Sequence, residues 1–417
     1  MASQTPTVTE PKPLSPAPAL REVISAELPD IIALRRDLHA HPELMFEERR
    51  TAETVVDHLR AAGVEHKAGL AKGTGVLGHL PSTDSASETV VALRADMDAL
   101  PIEEATGCDY TSTTPGVMHA CGHDGHTAIL VGAARVLSKI ADRPNGVTFV
   151  FQPAEEGGAG GEKMCADGAL NGATGGGLGK PVSRIFGLHG WPNMPLGTIA
   201  TRPGPLLAAT DDFVVTVRGE QAHAAYPHLG HDPIVASAHI VTQLQTIASR
   251  HTDPNDALVC TVGAIHSGTV NNVIPRTCQF IGTIRTLKPE TRAAAKEQFF
   301  RIVEHGAQAM GCVAEIAWED GYPATINDDA MAEHVFDIAK DAVGEGKIEV
   351  VEHATMGGED FSYYGHHVPA CFYLLGLHTG DPATEPTPQL HQPEFDFNDD
   401  AIATGIEMMC RLALAKA

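Results

Sequence analysis

Between residues 89 and 189 the chain repeats one arrangement three times, a short apolar strand running straight into side chains able to do chemistry. Residues 89–94 (TVVALR) lead to Asp96 and Asp98, residues 147–151 (VTFVF) lead to Glu155 and Glu156, and residues 184–188 lead to His189. Between the first two strands, Ala128, Ile129, Ala133, Val136, Leu137 and Ile140 recur at helical spacing and predict a helix over 125–141. Strand, helix and strand in alternation predict an α/β domain with a mostly parallel sheet flanked by helices. Sites in such sheets form beyond the carboxyl ends of the strands. Here the polar residues fall at those ends.

The rhythm changes over residues 208–318. Strands at 213–217, 258–265, 278–287 and 313–318, with helices at 232–250 and 290–310, give the order β-α-β-β-α-β of a ferredoxin-like α+β unit. This unit is expected to be inserted into a catalytic domain made of 21–207 and 319–417. Before the first strand, residues 28–63 read as helix interrupted at Pro42 and closed by Gly63. Residues 157–180, dense in glycine, read as a loop near the site. Residues 1–20 are rich in Pro, Ser and Thr, lack the apolar stretch of a secretory signal and read as a disordered extension.

Charge and cysteine usage narrow the function class. The 29 Lys and Arg against 53 Asp and Glu leave a net charge of −24, which argues against nucleic acid or an anionic membrane as partner. No apolar run reaches the roughly 20 residues of a membrane span. Eight cysteines scattered without a framework of spacings read as reduced thiols, and the expected location is cytoplasmic.

Met118-His-Ala-Cys121-Gly-His123-Asp-Gly-His126 is the most informative segment. A thiolate and an imidazole two residues apart, opening a helix, can face one metal ion. His119 and His126 fit accidental spacing as well as ligation. In Glu155-Glu156, one carboxylate can bind metal while its neighbour moves a proton, the division that metal-assisted hydrolysis needs. Asp96 or Asp98 stands where a carboxylate could orient a ligand. Taken singly, each feature has an ordinary explanation, since buried cysteines, solvated acidic turns and core histidines are common.

Taken together, RRDLHAHPEL, ALRADMDALP, MHACGHDGHTA, VFQPAEEG, GLHGWP, AHAAYPH, GTVNNVIP, GTIRTL, MGGEDFSYY and HQPEFDFND, in that order, resemble the M20 metallopeptidase family in its amidohydrolase branch. That branch includes hippurate hydrolases, aminoacylases and auxin-conjugate hydrolases. The resemblance runs from about residue 30 to 412. It implies hydrolysis of N-acyl amino acids or similar N-acylated small amines by a hydroxide bridging two divalent metal ions. Cys121 would bridge the ions, with Glu156 and His391 completing one site and His123 and His189 the other. Zinc suits the thiolate, while manganese or cobalt would suit the carboxylate and imidazoles. Glu155 would be the general base and Asp98 the supporting carboxylate. His223, in the inserted unit, would stabilise the oxyanion, often from the other subunit of a homo-oligomer, dimer or tetramer. Asn272 and Arg285 would hold the oxyanion region and the substrate carboxylate, although an arginine on a strand is often only a solvated charge. Gln221 and Ala222 replace the glycines that commonly precede the lid histidine. The rival readings are a dipeptidase or another deacylase on the same scaffold and, more distantly, a non-catalytic metal- or ligand-binding module.

Overall fold

A computed structural model describes residues 17–416 of the chain. Residues 1–16 of the expected extension lie outside the described part. Its boundary needs correction, because the first helix, Ala17–Ala40, already includes the last four residues assigned to it. The helix ends just before Pro42, and a second helix, Arg49–Ala61, follows.

Eight strands form the main sheet. Its centre is the parallel set Gly146–Gln152, Val90–Asp96, Arg184–Pro195 and Ala370–His378. Gly75–Leu80 and then Glu65–Leu70 extend one flank antiparallel. Ile199–Thr201 pairs antiparallel on the other flank and carries the parallel edge strand Ile348–Val350. The fold is therefore α/β, parallel in the middle with antiparallel additions at the flanks. Every residue of Val90–Asp96, Gly146–Gln152 and Ala370–His378 is buried, as expected for near-continuous apolar strands covered on both faces.

One face is covered by Ala17–Ala40, His123–Lys139 and Ile402–Leu414, with Ile31, Leu38, Ile129, Val136, Ile406 and Met409 in a shared core. Residues 157–180 are not a plain loop. They include the helix Gly160–Ala166 and place Met164, Leu170 and Leu178 in a second core on the opposite face, with Phe361 and Phe372. Arg184–Pro195 also runs past His189, because its pairing with Ala370–His378 continues as far as Pro195.

The second, smaller sheet is antiparallel, in the order Leu258–Ser267, Thr277–Thr286, Ala209–Arg218, Val313–Asp320. In chain order that is second, third, first, fourth, the ferredoxin-like arrangement. The helices Pro233–Thr246 and Pro289–Ala309 pack on it through Phe213, Val215, Ile240, Leu244, Phe280, Phe299 and Val303. Pro233 opens its helix behind Asp232, whose carboxylate accepts the amides of Ile234 and Val235. Among the described residues, no helix is long and apolar enough to cross a membrane.

Candidate metal centre

Parallel strands end on one edge of their sheet, and the helix that begins at His123 starts on the same edge. The Gly122-His-Asp-Gly125 turn is shaped by packing. Gly122 takes a left-handed φ of 87°, and a Cβ on Gly125 would stand 2.5 Å from ring atoms of Phe397. The ring thus lies directly against the helix start and fixes the direction in which His123 points.

Cys121, His123 and His189 bring one donor atom each within 4.8 Å of one another, as do Cys121, Glu156 and His391. The two trios share the Cys121 sulfur, which lies 3.4 Å from Nε2 of His189. Each imidazole is held through its other nitrogen. His123 donates from Nδ1 to the Asp98 carbonyl at 2.9 Å, and His189 donates from Nδ1 to the Gly190 carbonyl at 2.8 Å. Asp98 accepts the backbone N–H of Glu155 on one carboxylate oxygen and that of Glu156 on the other, each at 2.9 Å. His391 sits at a left-handed φ of 65°, unusual for a residue with a Cβ, and its N–H is tied to the Ala120 carbonyl at 2.8 Å.

These donors fit metal ions. His123 Nε2 and Glu156 Oε1 are buried without a hydrogen-bond partner; His391 Nε2 stands 3.1 Å from that oxygen but is not aligned to bond it. Buried polar atoms are rarely left so. Burial, followed by the nearby Glu156, Glu155 and Asp96 charges, pushes the Cys121 thiol well above its ordinary range. Burial opposes protonation of His123, but Asp96 and Asp98 outweigh it and raise the group to about 10. An excess of carboxylate that keeps a thiol and an imidazole protonated is an environment suited to a bound cation, which would release both protons. Burial, then Glu359, Glu156 and Asp360, pushes Glu155 well above the usual carboxylate range.

Sequence reasoning missed the network beneath this cluster. Arg94, fully buried, donates to Asp96 at 2.5 Å, to Glu359 at 3.0 Å and to Asp360 at 2.9 Å. His126 bridges Asp96, 2.7 Å from Nδ1, and the Gly190 N–H, 2.8 Å from Nε2. A second network joins His39 to Asp124 at 2.8 Å and Glu104 at 3.1 Å, with Arg35 against Asp124 at 2.9 Å. His39, Glu104 and Cys108 are close enough to hold an ion, but both His39 nitrogens are already engaged by carboxylates. His119 is buried with neither ring nitrogen bonded, and burial lowers it to about 4.

His223, Asn272 and Arg285 lie in the smaller unit and make their contacts there. His223 is exposed on the short strand Ala222–His223, paired with Val273, and the Ala224 N–H donates to the Asn272 carbonyl at 3.0 Å. Arg285 is half-buried in the smaller sheet against Thr283, with Asp212 at 3.5 Å. Among the described residues, no hydrogen bond or ion pair links these three side chains to the trios.

The profile of peptidase family M20/M25/M40 matches residues 92–415. The N-acetyl-L-cysteine deacetylase of Bacillus subtilis (strain 168) is 39% identical over 374 residues, covering 89% of this chain and 84% of that protein. Thermostable carboxypeptidase 1 of Saccharolobus solfataricus is 39% identical over 350 residues, covering 83% and 85%. Among solved structures, the YXEP protein of Bacillus subtilis, described as a dinuclear metal binding peptidase from the M20 family, superposes with a TM-score of 0.78. It is 34% identical, with 94% of this chain and 98% of that one covered.

Proposed function

The chain belongs to peptidase family M20/M25/M40, and from that premise we propose that it releases the amino acid from N-acyl amino acids, with Glu155 carrying the proton. The coarse activity is metal-dependent amide hydrolysis in the amidohydrolase branch, with two divalent ions. The observation that carries the two-ion site is the pair of donor trios sharing Cys121, with His123 Nε2 buried and unpartnered.

In this reading Cys121 serves both ions, His123 and His189 complete one site, and Glu156 and His391 the other. Such ions would polarise the amide carbonyl and make water acidic enough to yield its proton near neutral pH. Glu155 takes that proton and delivers it to the departing nitrogen. Asp98 holds the amides of Glu155 and Glu156 and so fixes the turn from which both carboxyls, each within 4.8 Å of the other and of a His123 nitrogen, reach the cluster. The thiolate in the donor set favours zinc.

We assign 208–318 as an inserted lid and dimerisation unit. His223 would donate to the carbonyl oxygen undergoing attack, while Asn272 and Arg285 would hold the oxyanion region and the free carboxylate of the amino acid. No hydrogen bond or ion pair ties them to the trios among the described residues, which supports a site completed by another subunit. The outer strand Leu258–Ser267 supports this too, since Ile265 is 52% exposed and the groove beside it holds about 390 Å³ between Ala238, Val241, Val262 and Ala264. Eight free cysteines support a cytoplasmic location.

The similarity to a carboxypeptidase favours a second reading. A carboxypeptidase cuts an amide whose nitrogen belongs to an amino acid with a free carboxylate, the same bond as in an N-acyl amino acid. The two differ only on the acyl side. Hydrolysis of hippurate, N-acetyl and long-chain N-acyl amino acids should be compared with hydrolysis of dipeptides and longer peptides, with and without chelator. Chelator-sensitive release from the acyl series supports the first reading. Cleavage of peptides alone would overturn it.

A further inference from the structure

The loop that carries Glu155 and Glu156 has an unusual backbone and is held from two sides. Ala154 and Ala159 take left-handed φ values of 55° and 51°, and Gly157 lies between them at 93°. Residues with a Cβ persist in that region only when their surroundings hold them there. On one side Glu48 accepts the Ala154 N–H at 2.9 Å, and Asp98 accepts those of Glu155 and Glu156. On the other side the Tyr322 hydroxyl adds to the turn's own Gly157 N–H to Glu155 carbonyl bond at 2.8 Å and to the Lys163 bond to the Gly158 carbonyl at 2.8 Å. Tyr322 donates to the Glu155 carbonyl and accepts the N–H groups of Gly157 at 2.7 Å and Ala159 at 3.3 Å.

Tyr322 does not belong to the main sheet. It lies in the segment that returns from the smaller sheet, just after Val313–Asp320, and it is bound to the outgoing segment. The Thr210 N–H donates to the Tyr322 carbonyl at 2.9 Å, and the Tyr322 N–H donates to Thr210 Oγ1 at 2.9 Å. A Cβ on Gly321 would stand 2.4 Å from Thr210 Oγ1, so the two segments touch there. Arg292, from the helix Pro289–Ala309, fastens both crossings by donating to the Gly321 carbonyl at 3.0 Å and to Asp211 at 2.7 Å. Tyr322 is thereby bonded to the crossing through its backbone and to the Glu155–Glu156 turn through its hydroxyl.

We propose that Tyr322 is a positioning residue that sets the Glu155–Glu156 turn and makes its geometry depend on the placement of the smaller unit. The inference rests on the reading of Glu155 as proton carrier. A hydroxyl bridging one carbonyl and two amides fixes the peptide planes on both sides of Glu156. Displacements of about 1 Å at reacting groups can cost on the order of a hundredfold in rate.

The test is Tyr322→Phe in the metal-loaded full chain, read by steady-state kinetics, metal content and amide hydrogen exchange. With both ions held by excess metal, expected are a kcat lowered about tenfold or more with KM within about threefold, and faster exchange confined to residues 154–159. Thr210→Val, which loosens the crossing without touching the loop, should give a smaller change of the same kind, with effects that do not add in the double variant. Unchanged exchange in 154–159 overturns the proposal, and so does a lowered kcat without faster exchange, which would put the hydroxyl on substrate. If the wild type cleaves no acyl amino acid, the proposed activity fails, yet the exchange data still decide whether Tyr322 holds the loop.

Discussion

The Cys121 sulfur lies 3.4 Å from Nε2 of His189, and both atoms belong to a pocket with more carboxylate than cation. Without metal the thiol keeps its proton, because burial and then Glu156 and Glu155 raise it. Binding of the ion that Cys121 and His123 share must therefore expel both the thiol proton and the one on His123, and its affinity should rise about a hundredfold per pH unit below both raised pKa values. Calorimetry in buffers of different ionisation enthalpy should show proton release on binding. Elemental analysis should find two ions per chain in the wild type and at most one in Cys121→Ala. A variant that still holds two ions would remove Cys121 as the shared ligand.

Glu155 is buried, accepts the Asp360 N–H at 3.3 Å and is not needed to complete either trio. Glu155→Gln should keep both ions and the fold while lowering kcat by roughly 10²–10⁴-fold, the usual worth of a positioned acid–base group. Loss of metal in this variant would instead make Glu155 a ligand.

The sequence revealed whatever is local. Strands that run into acids and a helix opened by Cys121 and His123 are patterns within a few residues, and the residues of both trios were named from them and from the family resemblance. What stayed hidden depends on pairing across the chain. Arg94 meets Glu359 and Asp360 more than 260 positions away, so no spacing rule could connect them. Spacing left Asp96 and Asp98 as equals, and only the family resemblance singled out Asp98. The fold separates them, Asp98 holding the Glu155 loop and Asp96 joining Arg94 to His126. His126 looked like an accident of spacing because its partner is a backbone N–H on another strand.

That partner makes His126 testable. Asp96 holds its Nδ1, and its Nε2 accepts the N–H of Gly190, whose carbonyl in turn fixes His189. His126→Leu should weaken binding of one ion about 10–100-fold, the range seen when groups behind metal ligands are removed, and leave the other ion nearly unchanged. Chelator competition followed by elemental analysis separates the two. Equal weakening of both would mean that His126 supports the fold rather than one site.

Glu48 gives a pH signature. Burial and then the Asp98 charge push its carboxyl up to about 7, although Ala154 and Thr74 donate to it. A glutamate in the unfolded chain titrates near about 4.3, so between these values the folded state holds a proton that the unfolded state has released. Stability from this group is complete below about pH 4.3 and falls as pH rises to about 7. Glu48→Gln removes the ionisation, so metal-free wild type should lose Tm between about pH 4.3 and about pH 7 more steeply than the variant. At the upper end the variant should be more stable by on the order of 1–3 kcal/mol. Parallel curves would mean that the hydrogen bonds keep Glu48 ionised throughout.

The last prediction concerns which subunit supplies His223. The outer strand Leu258–Ser267 has one unpaired edge, and Ile265, Val270 and Leu229 are 52%, 58% and 64% exposed on the same unit as His223. Unpaired edges and exposed apolar side chains invite a second copy. Ile265→Lys should therefore shift sedimentation from dimer to monomer. A sharper experiment mixes two inactive proteins, Glu155→Gln and His223→Ala, after subunit exchange. If His223 acts across the interface, each hybrid dimer contains one site with an intact Glu155 and an intact partner histidine. Random exchange makes half the dimers hybrid, so about a quarter of wild-type activity should return. If His223 acts on its own subunit's site, every site in the mixture carries one of the lesions and no activity returns.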